Sequence, residues 1–133
     1  METSRPVIVK HVPEVLTRKQ ADAFLSEVRP LLEHDRPQLV FDLSQVRRLD
    51  AAGVDLLLLC MREAVRRDGD LKLASLSAHA QIVLDLTRAG RLFEIFATVA
   101  DAARSFSGYL PNMVRQFHPK SDPDEDVIER KAA

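Results

Sequence analysis

The sequence predicts one α/β domain, with a sheet of four or five mostly parallel strands and helices packed around it. The main evidence lies between Gln38 and Gly69, where a short apolar run and a long helical pattern follow one another, and a second apolar run comes next at Leu71–Ala74. A strand, a helix and a strand in this order form a crossover, whose two strands are parallel and usually adjacent. Strand and helix patterns alternate on both sides of this unit, so we expect the order β, α, β, α, β, α, β, α.

The central unit begins with a strand at Leu39–Leu43, which is too short for a helix and is bounded by proline and polar residues. The side chain of Asp50 can accept hydrogen bonds from the free amides of a helix that begins at Ala51. Apolar residues then recur at helical spacing, and Asp68-Gly69 predicts a left-handed stop. The second strand of the unit is predicted at Leu71–Ala74.

The chain before this unit predicts one strand and one helix. Val7–Val12 is the strand, and the prolines on both sides of it favour a position at a sheet edge. Thr17 and Gln20 fit a capping box, in which side chains and backbone amides bond reciprocally at a helix start. Pro30 lies inside the helical pattern, so it either ends the helix near Val28–Arg29 or kinks it.

The chain after the central unit predicts two helices and one strand. Ser77 is placed to cap a helix that Gly90 closes. Three apolar residues of this helix are expected to face inward: Ile82, Val83 and Leu86. Phe93–Ala97 alternates like a strand with one solvated face. Thr98, with Asp101 three residues later, predicts the cap of a last core helix.

The domain is expected to span residues 1–107, because the character of the sequence changes after it. Residues 108–118 place apolar side chains at helical spacing, which predicts a short amphipathic helix. This helix either packs on its own domain or is an arm that docks on a partner or on a second copy, as in a homodimer. Residues 119–133 are acidic and broken by proline, so we expect a disordered tail.

The composition is that of an ordinary globular protein and restricts the classes of function. The 133 residues are 46% hydrophobic and 29% charged, which suits one domain with a core. A net charge of −1 argues against nucleic acid and against an anionic membrane surface as partners. No apolar run is long enough for membrane insertion, and no signal peptide begins the sequence. A single cysteine forms no intramolecular disulfide, so a cytoplasmic location is expected.

No arrangement of reactive residues predicts a catalytic site, a metal site or a cofactor. Cys60 falls on the inward side of the central helix, where a thiol acts as a small hydrophobe. The histidines lack the spacing of zinc ligands, and no glycine-rich phosphate loop occurs. A helix cap explains Asp50, and no lysine or third acid joins it with Asp42 in a receiver-type phosphorylation site.

The central unit resembles the STAS family, which is named after sulfate transporters and anti-sigma factor antagonists. The likeness rests on a strand that ends in Asp42-Leu43-Ser44, followed by Leu49-Asp50-Ala51-Ala52-Gly53 and a long apolar helix, and it covers Val7 to Phe106. The family hallmark is Asp-Ser-Ser-Gly, and a partner kinase phosphorylates the serine before the glycine. Ala52 holds that position here and has no hydroxyl, so the resemblance implies a domain that escapes this phosphorylation.

The resemblance also implies that the chain binds a protein and has no catalysis of its own. The implied partner is an anti-sigma factor or a related Ser/Thr kinase of the histidine-kinase-like ATPase fold. The alternative is an accessory subunit of an ABC-type, phospholipid-trafficking transporter, docked on its ATPase. The implied binding surface is the loop and the helix start around Ala52. Its residues are Arg47, Arg48, Asp50, Ala51, Ala52, Gly53 and Asp55.

Overall fold

Strands and helices alternate along the chain in the structure, a computed structural model that describes residues 6–106 and, by their backbone, residues 114–117. The strands are β1 (Val7–His11), β2 (Val15–Leu16), β3 (Gln38–Asp42), β4 (Arg48–Leu49), β5 (Asp70–Ala74), β6 (Ile95–Phe96) and β7 (Val114–Phe117). The α-helices are α1 (Arg18–Leu32), α2 (Ala51–Arg66), α3 (Ala78–Thr87) and α4 (Val99–Arg104), and a 3-10 turn spans Ala89–Leu92.

Five strands form one sheet in the order β6-β5-β3-β1-β7, and every neighbouring pair is parallel. The central strand is β3, in which Phe41 pairs with Lys10 of β1 on one side and with Leu73 of β5 on the other. Because parallel strands end at the same edge, the turns after β1, β3 and β5 gather at the carboxyl edge of the sheet. A second, two-stranded parallel sheet joins β2 to β4 at this edge. The predicted α/β class and parallel sheet are confirmed.

The sheet separates two layers of apolar side chains, because successive residues of a strand face opposite ways. Phe41 faces α1, where it meets Phe24 edge-on with 5.6 Å between the ring centroids. Val40 faces the other way, toward α4. The layer beneath α1, α2 and α3 is the larger one and includes Leu16, Val28, Leu39, Leu57, Cys60, Leu71, Leu73 and Leu84. The layer beneath α4 contains Val7, Val9, Val40, Ala74, Ala102, Ala103 and Phe106.

A polar side chain accepts a hydrogen bond from a backbone amide at the start of each α-helix, as the sequence predicts. The bonds run from Thr17 N–H to Gln20 Oε1 (3.1 Å), from Gly53 N–H to Asp50 Oδ1 (2.9 Å), from Ala80 N–H to Ser77 Oγ (3.1 Å) and from Asp101 N–H to Thr98 Oγ1 (3.0 Å). These contacts satisfy amides that have no acceptor inside their own helix. Pro30 does not end α1, which continues to Leu32.

Two expectations about the edge of the sheet are wrong. β1 is not an edge strand, because β7 pairs with it along Val7–Lys10 on the side away from β3. Residues 114–117, expected in an amphipathic helix, form β7 instead. A strand here gives the second side of β1 the backbone partners that a buried strand requires. The remainder of the predicted helix and the predicted tail, residues 119–133, lie outside the described residues.

α3 presents a different face to the core from the one expected. Ile82 and Leu86, expected to face inward, are 56% and 79% exposed, whereas Ala80 and Leu84 are buried. Each residue turns an α-helix by about 100°, so a side chain two positions after a buried one faces away from the core. Val83 packs against the core, as expected.

The segment after α3 also differs from the expectation. The helix ends at Thr87, and Arg88 is the left-handed residue, with a φ of 63°. Gly90, expected to close the helix, lies within the 3-10 turn that follows. The strand expected at Phe93–Ala97 is reduced to β6, because the 3-10 turn reaches Leu92 and α4 begins soon after.

We expect Leu84→Ala to destabilise the domain far more than Leu86→Ala, although both residues are leucines of α3. Leu84 is 1% exposed, so its truncation leaves a cavity that costs about 2–5 kcal/mol of unfolding free energy. Leu86 is 79% exposed, so its truncation should change the unfolding free energy by no more than about 0.5 kcal/mol. Urea unfolding of both variants measures the difference, and equal losses would contradict the observed orientation of α3.

Candidate functional site

One carboxylate joins the starts of two helices at the carboxyl edge of the sheet. Asp50 Oδ1 accepts the Gly53 N–H at 2.9 Å, which caps α2, and Asp50 Oδ2 accepts the Arg18 N–H at 3.1 Å at the start of α1. The pKa of the Asp50 carboxyl is lowered, and the hydrogen bond from the Gly53 N–H is the largest cause. Partial desolvation raises this pKa, whereas the hydrogen bond from the Arg18 N–H lowers it further. The ionised carboxylate therefore fixes α1 and α2 relative to each other at this edge.

Gly53 brings α2 against the backbone of β2 more closely than any other residue would allow. A Cβ atom at this position would lie 2.2 Å from the Leu16 carbonyl oxygen and 2.7 Å from Leu49 Cδ1. Neither distance is compatible with a side chain, and the nearer atom belongs to the backbone and cannot rotate away. The glycine of the predicted binding surface is thus required by packing.

The backbone amides of the loop before α2 donate hydrogen bonds on two sides. The Glu14 carbonyl accepts the N–H groups of Arg47 at 2.7 Å and of Arg48 at 3.0 Å. On the other side, His79 Nε2 of α3 accepts the Leu49 N–H at 3.0 Å. The segment that carries the predicted binding residues is therefore fixed before any partner arrives, so binding need not order it.

The predicted binding residues are close together but differ in their access to solvent. Arg47, Arg48, Ala51 and Asp55 are exposed, Asp50 and Ala52 are half-buried, and Gly53 is buried. The Arg47 guanidinium lies 3.6 Å from the Glu14 carboxylate, which keeps this end of the surface mixed in charge. Gly53 cannot contact a partner directly, so its part in binding is to set the position of the helix start.

The other polar residues singled out in the sequence have local structural roles. Burial alone would raise the pKa of Asp42, but hydrogen bonds from His11 and from the Ser44 N–H outweigh it and lower the pKa. The distance from His11 Nδ1 to Asp42 Oδ2 is 3.1 Å. Burial raises the pKa of the Cys60 thiol to about 12, so this cysteine is not a thiolate at neutral pH.

Metal-binding clusters and membrane spans are absent from the described part of the chain. Within residues 6–106 and 114–117, no three His, Cys, Asp or Glu side chains are placed to hold a metal ion. Over the same residues, no helix combines the length and the apolar character that crossing a membrane requires.

A groove beside the start of α2 was not foreseen in the sequence. It has a volume of about 490 Å³ and lies between the first turns of α2 and the segment that follows α3. Its α2 side consists of Ala51, Val54, Asp55 and Leu58, and its other side of Thr87, Arg88, Ala89, Arg91 and Leu92. Leu92 is 61% exposed. The sequence did not predict this groove, because its shape depends on the residue at which α3 ends and sequence patterns locate helix ends poorly.

The comparison with protein families agrees with the arrangement of these elements. The family model described as "Mlab, STAS domain" matches residues 4–95, from before β1 to the first residue of β6. The chain belongs to the STAS domain family. STAS domains are mainly regulatory, non-catalytic modules. No curated protein sequence matches the chain.

Several solved STAS structures share the fold. The anti-sigma factor antagonist SpoIIAA in its unphosphorylated form has 18% identity and a TM-score of 0.65, over 83% of this chain and 96% of that chain. An anti-sigma-factor antagonist (STAS) domain protein from Planctomyces limnophilus has 18% identity and a TM-score of 0.62, over 69% and 83%. The SulP transporter STAS domain from Vibrio cholerae has 15% identity and a TM-score of 0.59, over 76% and 80%.

We expect Asp50→Asn to lower the melting temperature at neutral pH and to have little effect in acid. Asparagine has one acceptor oxygen, so one of the two helix starts loses its partner. The folded pKa of Asp50 is lowered, so the carboxylate's stabilising contribution is complete above the unfolded value near 3.8 and is lost as the pH falls through the folded pKa.

Thermal unfolding from pH 7 down to acid measures this effect. Asp55→Asn is the control, since Asp55 is an exposed acid of the same helix that caps neither helix start. A difference between wild type and Asp50→Asn that stays constant with pH would contradict the role given to the ionised carboxylate.

We expect Gly53→Ala to destabilise the domain, against the usual preference of helices for alanine. Contact with the Leu16 carbonyl should cost about 1–3 kcal/mol, which exceeds the gain of up to about 1 kcal/mol in helix propensity. Gly90→Ala is the matched control, because its Cβ would meet Leu84 Cβ at an ordinary 3.6 Å. Chemical unfolding that ranks Gly53→Ala as stable as Gly90→Ala would refute the close approach of α2 to β2.

Proposed function

We propose that this STAS domain regulates a protein partner by binding it through the loop before α2 and the start of α2. The proposed partner is an anti-sigma factor or a related Ser/Thr kinase of the histidine-kinase-like ATPase fold, and the binding takes place in the cytoplasm. The proposed contact residues are Arg47, Arg48, Asp50, Ala51, Ala52 and Asp55, with Gly53 setting their position. The fold shared with SpoIIAA, an anti-sigma factor antagonist, supports this partner class.

The observation that carries the proposal is the fixed and accessible start of α2. The double cap by Asp50 and the hydrogen bonds to Arg47, Arg48 and Leu49 hold this surface in one arrangement. A surface that is already ordered loses little conformational entropy on binding. It also presents small side chains at Ala51 and Ala52, over which a partner's backbone can pass closely.

The proposed binding is not controlled by phosphorylation at the family's usual position. Ala52 has no hydroxyl to accept a phosphoryl group. A phosphoserine there would add up to two negative charges at a helix start, where the helix dipole favours them. Such a charge would weaken binding of a partner and would hardly affect the fold. Because Ala52 cannot carry it, the domain would remain in its binding-competent form.

Catalysis by the domain itself is not part of the proposed function. The sequence offers Cys60 as its one candidate thiol, and burial keeps that thiol protonated. Asp42 is engaged by His11 and by the backbone of its own turn, and Asp50 by two helix starts. These carboxylates are occupied by structural hydrogen bonds, which favours a binding module.

A second candidate function is that of an accessory subunit docked on the ATPase of an ABC-type, phospholipid-trafficking transporter. Two observations favour it: the matching family model is that of the Mlab STAS domain, and a SulP transporter STAS domain shares the fold. The same α2 surface is proposed for this partner, because it is the ordered and accessible surface described above. The identity of the bound ATPase separates the two candidates.

We expect Ala52→Glu to abolish binding of the partner while leaving the fold intact. A glutamate buried in an interface without an opposite charge costs on the order of 3–5 kcal/mol, or roughly two to four decades of affinity. In the free domain the same side chain lies in the first turn of α2, where the helix dipole favours an acid by about 0.3–1 kcal/mol. Circular dichroism should therefore record a normal melt.

The measurement is capture from the native lysate with wild-type chain as bait, followed by mass spectrometry and calorimetry with the isolated partner. Arg67→Glu is the control, because Arg67 lies just beyond the far end of α2 and should leave binding intact. Recovery of a kinase or anti-sigma factor supports the first candidate, and recovery of a transporter ATPase supports the second. Unchanged affinity of Ala52→Glu for the captured protein would move the interface away from α2 and defeat both.

A further inference from the structure

The outer face of α3 is apolar and exposed. Most of the exposed large apolar side chains among the described residues belong to α3, to the turn after it or to β6, namely Ile82, Leu86, Leu92 and Ile95. Ile82 and Leu86 are four positions apart, so they form one ridge along α3, while Ala80 and Leu84 fill the core side. A helix that is apolar on both sides is usually buried on both sides, so this ridge marks a contact surface.

Two opposite charges lie beside this ridge. Asp85 precedes Leu86, and Arg88 follows one turn after Asp85 at the end of α3, on the same side of the helix. Both are exposed, and both border one surface hollow together with Ile95. Neither forms an ion pair with any residue among 6–106. A carboxylate and a guanidinium are therefore available here to a group from outside the domain.

The arrangement of these residues is complementary to itself. In an interface with two-fold symmetry, residue i of one copy meets residue j of the other, and j meets i. Consider two α3 helices that pack antiparallel about a two-fold axis between Leu86 and Thr87. Asp85 and Arg88 both lie about 2 Å along the helix from this axis, on opposite sides of it, so each Asp85 meets the Arg88 of the other copy. The two Leu86 side chains meet at the axis, and each Ile82 lies over the turn Ala89–Leu92 of the other copy.

We propose that two copies of this chain associate through α3 and the turn after it, as an isologous dimer with reciprocal Asp85–Arg88 contacts. Two-fold symmetry supplies both the matching apolar ridge and the matching charges. Val65 of α2 is also exposed, but the charges near it in sequence, Glu63 and Arg66, already pair with each other at 2.9 Å. The α3 surface is therefore the better site for a second copy.

The contact is small, so the dimer should be in equilibrium with the monomer. α3 has 10 residues and is about 15 Å long. A stable interface buries about 800 Å² on each partner, which is more than one such helix and one turn can cover. The contact contains none of the residues proposed to bind a partner protein at the start of α2, so the dimer does not rest on the proposed function.

Sedimentation of the full chain over a concentration series measures the association. The wild-type chain should shift from monomer toward dimer as its concentration rises. Leu86→Glu should stay monomeric, because it places two like charges together at the axis. Val65→Glu is the matched control, since it adds the same charge at an exposed apolar residue of α2, and it should associate like wild type. Circular dichroism checks that each variant is folded.

Exchange of the two charges tests their reciprocal contact. Asp85→Arg leaves only basic residues at these positions and Arg88→Asp leaves only acidic ones, so each variant alone should be monomeric. An equal mixture of the two variants should associate again, because the basic pair of one chain then faces the acidic pair of the other. Both changes are at exposed positions, and aspartate tolerates the left-handed backbone of Arg88, so both variants should fold.

Three results would overturn the proposal. They are a wild-type chain that stays monomeric at every concentration, a dimer that Leu86→Glu leaves intact, and two charge variants that stay apart when mixed. Capture of a different protein by wild type and not by Leu86→Glu, without dimerisation, would give the surface to that protein instead. Ala52→Glu should dimerise like wild type, so failure of the proposed function at α2 leaves the dimer untouched, and failure of the dimer leaves the proposed function untouched.

Discussion

The carboxylate of Asp50 is the contact on which the carboxyl edge of this domain depends. Helix starts leave amides without acceptors, and two such starts lie side by side here because β1 and β3 are neighbouring parallel strands. One ionised side chain supplies both acceptors, at 2.9 Å to Gly53 and 3.1 Å to Arg18. This shared cap ties the start of α2, beside which the loop and the groove lie, to the start of α1, while the buried apolar face of α2 holds the helix on the sheet.

The close packing of the start of α2 against β2 requires a small residue there. α2 approaches β2 so closely that a Cβ at Gly53 would lie 2.2 Å from the Leu16 carbonyl oxygen. Ala51 and Ala52 complete a first turn without long side chains, which leaves the surface flat and open. In the serine-to-alanine exchange that the resemblance implies at Ala52, the small first turn is kept and only the phosphate acceptor is lost.

The parts of the fold that short stretches of sequence determine could be predicted. The cap residues Asp50, Ser77 and Thr98 act within three residues of themselves, and all three bonds are present. The central crossover depends on one apolar strand and one apolar helix, and both lie where the pattern indicates. The cluster of candidate residues around Ala52 was predictable for the same reason, because they are neighbours in the chain.

The parts that depend on distant contacts could not be predicted. Strand β7 exists because β1 has a free side, and nothing within residues 114–117 distinguishes that strand from a helical pattern. The orientation of α3 depends on what Ala80 and Leu84 meet in the core, and a helix with apolar residues on several sides does not reveal this. The groove could not be predicted either, because it lies between the start of α2 and the segment after α3, which are far apart in sequence.

The start of α2 is also where phosphate control, as the resemblance implies it for the family, would act. A phosphoserine at the position of Ala52 would bring negative charge to the start of α2, and a partner would meet that charge on docking. Alanine carries no such charge, so the surface that a partner would meet at this position stays neutral. The proposed binding therefore depends on the shape of a rigid helix start and on the exposed charges of Arg47, Arg48 and Asp55. Contacts between exposed charges weaken as the screening length falls from about 10 Å at 0.1 M to about 3 Å at 1 M, so the proposed binding would weaken with salt.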